Sequence, residues 1–277
     1  MRSLVVGDIH QDLDPIRWLL DNEHFDELIS VGDWVDTKKP QSEVLTFEET
    51  CYALRALILH HEHKRKIRFI LGNHDLQYIY ASNALSTSHS CKENPYSSTS
   101  YSHKKAKKWR KCFFDANLKD SFFLEHFALA YQTQGWTISH AGIIPEHIPK
   151  DMKLKEFVES ECEQVWKNFR NLDYPNNYIL RGVGRSRGGK DNFGGMLWLD
   201  WDKEFYMHPE TGNQILGHTR VAVPESKHLR FGDTLLKAWN INTEKHYGVI
   251  EDGIFGFREF YEDRTLGVKP GNDLVVA

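Results

Sequence analysis

The sequence predicts an α/β protein built on a parallel sheet, and three observations carry that prediction. Five short apolar runs each end in a polar cluster with a glycine in it: residues 4–6 before Gly7-Asp8-Ile9-His10, 28–31 before Gly32-Asp33, 67–71 before Gly72-Asn73-His74-Asp75, 136–139 before His140-Ala141-Gly142, and 214–216 before Gly217-His218-Thr219. Runs of this length, rich in β-branched residues, read as buried strands. Helix signals separate the first three, and strand–helix–strand–helix–strand order implies parallel neighbours with right-handed crossovers. Finally, 277 residues with 40% hydrophobic and 27% charged side chains suffice for a full core without disulfides or structural zinc.

Taken in order, the first strand is followed by Asp14-Pro15, which offers an N-cap and a proline at the first helical position of a helix over 16–21. After the second strand, Thr46-Phe47-Glu48-Glu49 has capping-box spacing and opens a stripe of Cys51, Leu54, Leu57 and Ile58. Past the third strand the pattern changes. Residues 81–103 are rich in Ser, Thr, Asn and His and read as a loop, part of a segment around 77–112 inserted in a single domain spanning 1–277. A helix is expected over 151–170, with Leu154, Phe157, Val158, Cys162, Val165, Trp166 and Phe169 as its apolar stripe. Residues 181–195 form a Gly- and Arg-rich loop, and 234–260 read as strands with a turn at Glu251-Asp252-Gly253.

Composition excludes several classes of function. A net charge of -4 gives no global pull toward nucleic acid or an acidic membrane, and no apolar run approaches a membrane span. Cys51, Cys91, Cys112 and Cys162 are dispersed without a C-x-x-C pair, which predicts a reducing, cytoplasmic setting, and no signal-peptide core opens the chain. Partners must be argued locally. The run Lys104–Lys111 with Trp109 inside it could grip nucleic-acid phosphates, but it reads better as the solvated face of a helix whose Ala106, Trp109 and Phe113 point inward. His60-His61-Glu62-His63 reads as helix-end solvation rather than a second metal site.

In parallel sheets ligands gather at the carboxyl ends of strands, where all five clusters lie. Asp8, His10, Asp33, Asn73, His140 and His218 mix carboxylate, carboxamide and imidazole without thiolate, a set suited to Mn²⁺, Fe or Zn²⁺ in a hydrolytic centre. Asp33 follows the second of three neighbouring strands, the natural position for a residue shared by two ions. Two such ions bind phosphoryl oxygens, generate a hydroxide nucleophile and stabilise an in-line transition state.

In this order, Gly7-Asp8-Ile9-His10, Gly32-Asp33-x-x-Asp36, Gly72-Asn73-His74-Asp75, His140-Ala141-Gly142 and Gly217-His218-Thr219 resemble the signature of calcineurin-like metallophosphoesterases. The pattern is most similar to the bacterial and phage branch of their phosphoprotein phosphatases, which also holds symmetrical dinucleoside-tetraphosphate hydrolases. The resemblance implies two packed mixed β-sheets flanked by helices and two divalent ions, foremost Mn²⁺. Asp8 and His10 would hold the first ion, Asp33 would bridge, and Asn73, His140 and His218 would complete the second. It further implies that His74 protonates the leaving group and Asp36 orients it. Phosphomonoester hydrolysis on phosphoprotein is then expected, with a dinucleoside polyphosphate or a nucleic-acid phosphate end as the alternative substrate and a non-catalytic nucleic-acid-binding module as the alternative class. The sequence departs from the family at Gln11, where glycine is usual, at Thr37-Lys38, where Arg-Gly is usual, and at Leu197-Trp198-Leu199-Asp200, which lacks an arginine. Arg181, Arg185, Arg187 and Arg220 are the candidates to replace the missing phosphate clamp.

Overall fold

The structure, a computed structural model, describes residues 1–61, 65–86, 100–113, 126–170 and 178–261. The first sheet has six strands in the order β11-β10-β1-β2-β3-β4, with β1 at Arg2–Val6, β2 at Glu27–Ser30, β3 at Lys66–Ile70, β4 at Phe127–Ala128, β10 at His246–Glu251 and β11 at Ile254–Glu259. Strands β1, β2, β3 and β4 run parallel, whereas β10 and β11 are antiparallel additions on the other side of β1. The second sheet runs β5-β6-β7-β9-β8, with β5 at Ala130–Thr133, β6 at Trp136–Ser139, β7 at Asn213–Leu216, β8 at Glu225–Phe231 and β9 at Thr234–Asn240. In it β6, β7 and β9 are parallel, with an antiparallel strand at each edge.

Strand alternation sorts the apolar residues into two layers. Val5, Ile29, Ile70 and Ile250 point from the first sheet onto Trp136, Ile138, Ile215 and Trp239 of the second. Leu4, Val6, Leu28 and Phe69 point the other way, onto the helices. Each such side chain contributes roughly 1.5–3 kcal/mol by leaving water. The two sheets are therefore held face to face, with mixed strand directions and helices outside, as the family resemblance implies.

Helix α1 (Asp14–Asn22) starts one residue earlier than the capping reading required. Leu13 occupies the cap, Asp14 is already helical, and its N–H is 3.3 Å from Asp12 Oδ1. The capping box of α2 (Phe47–His61) is present. Thr46 N–H donates to Glu49 Oε2 (2.9 Å) and Glu49 N–H to Thr46 Oγ1 (3.2 Å). Helix α3 (Asn73–Ser86) grows directly from the cluster after β3, so residues 81–86 belong to a helix rather than to the expected loop. The loop reading differs because Ser82, Asn83 and Ser86 give the end of this helix a turn-like composition. Helix α4 (His103–Phe113) packs on α2 and α3 with Ala106, Trp109, Cys112 and Phe113 buried. The expected helix over 151–170 is helical from Leu154 to Arg170, with a π-turn at Phe157–Glu161, and buries Phe157, Val158, Cys162, Val165 and Trp166. Phe169 lies outside the described side chains, as do His61 and residues 62–64 of the histidine run. The turn at Asp252-Gly253 has both residues at positive φ (51° and 80°), the hairpin geometry that Asp-Gly favours. Among the described residues no helix is long and apolar enough to cross a membrane.

Candidate metal centre

All six candidate ligands meet at one edge of the two sheets. Parallel strands put the ends of β1, β2 and β3 side by side, and those of β6 and β7 face them across the interlayer core. The chain turns there at a cost, since His10, Gln11, Asp33, Asp36 and His218 all hold left-handed φ of 45° to 70°. Local bonds hold the turns in place. Asp33 C=O accepts from Ile9 N–H (3.1 Å) and His10 N–H (2.7 Å). Gln11, which stands where the family carries glycine, is buried. Its amide accepts from Asp36 N–H (3.1 Å) and Thr37 N–H (3.3 Å) and donates to Leu45 C=O (2.7 Å). Glycine matters at Gly72, where a Cβ would lie 2.2 Å from Asp33 N and Oδ1.

Two ligand sets sharing Asp33 emerge: Asp8, His10 and Asp33, and Asp33, His140 and His218, with ligand atoms within 4.8 Å of one another in each. Hydrogen-bond bookkeeping tests whether cations fit. His140 Nδ1 is 2.8 Å from Val31 C=O, and a carbonyl only accepts, so Nδ1 carries the hydrogen and Nε2 a lone pair. That lone pair faces Asn73 Oδ1 at 3.0 Å, His218 Nδ1 at 3.1 Å and Asp33 Oδ2 at 3.5 Å. The buried His218 Nε2 has no hydrogen-bond partner. His10 Nδ1 likewise faces Val35 C=O (3.2 Å) and Asp36 C=O (3.1 Å), leaving Nε2 toward Asp8 Oδ2 and Asp33 Oδ2, each at 3.9 Å. Lone pairs aimed at lone pairs are what a cation resolves, and backbone carbonyls behind ligand imidazoles are the usual means of aiming them.

The charges agree. Burial and the neighbouring Asp33 push the Asp8 carboxyl well above the carboxylate range. Burial also acts to raise Asp33, and its carboxyl is held low only by positive charge on the imidazoles around it, His140 first and then His74, His10 and His218. Burial drives His140 down and His218 well down, keeping both neutral and able to donate a lone pair. Two carboxylates this close, both buried, need positive charge between them.

Asn242 belongs to the same floor and was missed by sequence reasoning. It follows β9, donates from Nδ2 to Asp8 Oδ2 (2.6 Å), and accepts from Asp8 N–H (3.3 Å). The signal was available, because Asn240-Ile241-Asn242-Thr243 is a sixth polar cluster at a strand end. Asp75, to which the sequence pattern gives no role, is buried, accepts from Trp34 N–H (2.9 Å) and Gly72 N–H (3.0 Å), and so staples the loops after β2 and β3.

Beside this floor stands the His74–Asp36 pair, Nδ1 to Oδ2 at 3.2 Å, with the His74 ring edge-on to His10 at 5.4 Å between centroids. Asp33 Oδ1 accepts the His74 N–H (2.9 Å). Burial alone would lower His74, yet Asp33 and the hydrogen bond to Asp36 raise it to about 9. Asp36 stays low despite burial because His74 and Lys105 donate to it.

A cavity of about 660 Å³ opens over both groups, lined by Asp8, His10, Asp33, Asn73 and His218 on the floor and by His74 and Asp36 at one wall. Of the four arginines, Arg187 and Arg220 line it and Arg181 and Arg185 do not. Arg181 ends the short helix Tyr178–Arg181 and Arg185 opens the 3-10 turn Arg185–Arg187, both exposed, because the loop is tied inward through Glu204 instead. Arg187 is held by Asp200 Oδ2 (3.0 Å) and Thr219 Oγ1 (2.5 Å), while Arg220 pairs with Glu244 (2.7 Å). Lys38 and Lys39 add two cations to the rim. Trp109, the ring considered for base stacking, is fully buried among Phe47, Tyr78 and Phe113.

No curated protein matches the sequence. Among solved structures, a cold-active protein-tyrosine phosphatase of a psychrophilic Shewanella species superposes with a TM-score of 0.55 at 13% identity, covering 94% of this chain and 78% of that one. A metallophosphoesterase from Sphaerobacter thermophilus gives a TM-score of 0.40 at 12% identity, covering 94% and 87%. The first of these likenesses concerns fold alone. The family model for calcineurin-like phosphoesterases matches residues 1–240. The strand-end clusters, the two-layer architecture and that match agree, and this chain belongs to the calcineurin-like phosphoesterases, metal-dependent hydrolases of phosphate esters.

Proposed function

We propose that the chain hydrolyses phosphomonoesters, with phosphoprotein as the substrate class and Mn²⁺ as the metal. Asp8, His10 and Asp33 would hold one ion, and Asp33, Asn73, His140 and His218 would hold the other. The observation that carries this reading is the juxtaposition of two environments in one cavity: lone pairs converging on Asp33, and a hydrogen-bonded imidazole, His74, beside them. When bound, the ions supply Lewis acidity toward phosphoryl oxygens and lower the pKa of water. As water adds to phosphorus, the ester P–O bond breaks and His74 gives its proton to the departing oxygen. Asp36 accepts from His74 Nδ1 and keeps the ring turned toward that oxygen. Arg187, already aimed by Asp200 and Thr219, neutralises a non-bridging oxygen, replacing the arginine missing after Asp36. Asn242 keeps Asp8 in place.

A second reading has one observation in its favour. Trp198 and Phe260 line the cavity, and either ring is a platform for a base, as a dinucleoside polyphosphate or a nucleic-acid phosphate end would need. The test is a hydrolysis panel with an aryl monoester, its diester, a phosphopeptide and a dinucleoside tetraphosphate, each with Mn²⁺, Zn²⁺, Mg²⁺ or chelator. Monoester and phosphopeptide turnover, highest with Mn²⁺ and absent with chelator, is the expected result. Faster hydrolysis of the dinucleotide would replace the substrate class, and turnover unaffected by chelator would remove the metal from the mechanism.

A further inference from the structure

The Asp36 carboxylate, 1% exposed, receives more than the His74 imidazole. From α3, Gln77 Nε2 donates to Oδ2 (2.6 Å) and the Tyr78 hydroxyl reaches both oxygens (2.8 and 2.9 Å). Two further donors come from outside the strand-end frame, on the segment that links β3 to β4. Ser100 Oγ donates to Oδ2 (2.9 Å) and lies 3.1 Å from His74 Nδ1, and Lys105 Nζ is 2.5 Å from Oδ1.

Lys105 stands among residues that α4 buries, and although 32% of its side chain stays exposed its ammonium turns inward. It sits four residues before Trp109 and seven before Cys112, on the stripe that α4 buries against α2 and α3. An ammonium on that stripe is costly unless an anion meets it. The anion is Asp36, and the Phe47 ring, 5.5 Å from Nζ, closes the other side. Both oxygens are held. Lys105 bonds Oδ1, the Tyr78 hydroxyl lies within reach of Oδ1 and Oδ2, and Gln77, Ser100 and His74 meet Oδ2. A carboxylate gripped at both oxygens cannot turn about its Cβ–Cγ bond, so the imidazole on Oδ2 has one orientation.

We propose that Ser100 and Lys105 are positioning residues for the general acid: they lock the Asp36 carboxylate, and through it the His74 ring, in the attitude that meets the leaving oxygen. This rests on the reading of His74 as proton donor. A lysine that merely stabilised α4 would affect every substrate alike. A lysine that positions the acid matters only when the leaving group needs a proton, because a good leaving phenolate departs without one.

The test compares kcat for phenyl phosphate and 2,4-dinitrophenyl phosphate in the Mn²⁺-loaded full chain, for wild type, Lys105→Met, Lys105→Arg, Ser100→Ala and His74→Asn. Lys105→Met is expected to slow phenyl phosphate by about 10- to 100-fold and the dinitrophenyl ester by less than about 3-fold, the scale of other second-layer orienting groups. Lys105→Arg restores most of the loss. Ser100→Ala shows the same skew at smaller size, and it carries the test if Lys105→Met fails to fold. Equal slowing of both esters by Lys105→Met or Ser100→Ala, or slowing of neither while His74→Asn shows the skew, overturns this inference alone. A His74→Asn variant without the skew overturns the acid assignment itself, and the inference falls with it.

Discussion

Asp33 and Asp36 stand three residues apart in one loop, both buried and both in left-handed backbone (φ 47° and 65°), yet they serve opposite environments. Around Asp33 the side chains present acceptors: Asp8 carboxylate, Asn73 Oδ1, and the free nitrogens of His140 and His10. Around Asp36 the neighbours are donors: Tyr78, Gln77, Ser100, Lys105 and the His74 ring. Both carboxyls are held acidic against burial, so acidity does not distinguish them. The polarity of the facing atoms does. A buried carboxylate among lone pairs is a seat for cations, whereas one among donors is a fixed acceptor that orients what binds it.

The comparison can be broken at either end. Asp33→Asn takes charge from the acceptor side and is expected to reduce kcat/KM by about 10³-fold or more, roughly 4 kcal/mol, with metal content by elemental analysis falling with it. Retention of two ions would show that Asp33 is not shared between them. On the donor side, His74→Asn should keep its metal and lose about 10²- to 10³-fold in kcat at nearly constant KM. Parallel loss of metal would merge the two environments into one.

Smaller effects sharpen the boundary. Asn242→Ala frees the Asp8 carboxylate and should weaken metal affinity by about 10- to 100-fold, read by metal titration, with kcat recovered at saturating metal. Arg187→Met leaves both carboxylates untouched and should raise KM by about 10-fold, while an unchanged KM would remove it from the substrate's path. The smallest effect concerns stability away from both. His147 is buried with Nε2 on Gly194 C=O (2.9 Å), and burial drives it from the ordinary 6.5 to about 4. Between those values the unfolded chain binds the extra proton, so stability falls as pH drops from 6.5 toward 4. Denaturant unfolding at pH 7.5 and 5.5 should show a loss of about 1 kcal/mol from this group, absent in His147→Leu.

The floor was legible before the fold was known, for a physical reason. Each candidate ligand follows its strand within four residues, so the strand run and the glycine beside it announce Asp8, Asp33, Asn73, His140 and His218 locally. Asn242 obeyed the same rule after β9 and was overlooked because the stretch 234–260 was read only for strands. The wall was far less legible. His74 and Asp36 came from the family pattern, but Ser100 and Lys105 carry no periodicity that points to Asp36, which lies 64 and 69 residues earlier. Lys105 was hidden among basic neighbours that resemble a solvated helix face, and only its register with Trp109 and Cys112 sets it apart. The arginines divided in the same way, since a loop's composition does not say which of its side chains turns inward.

By itself, then, the chain determined an α/β frame, the ends at which chemistry collects and the donor set that meets there. Those are matters of local strand length, glycine geometry and side-chain type. Only the tertiary structure decided which way each lone pair points, that Gln11 repairs the turn where glycine is usual, that Arg187 and not Arg185 reaches the cavity, and that a helix from beyond β3 grips Asp36. These depend on packing between segments distant in sequence, which brings several donors to one buried carboxylate that no local pattern connects to them.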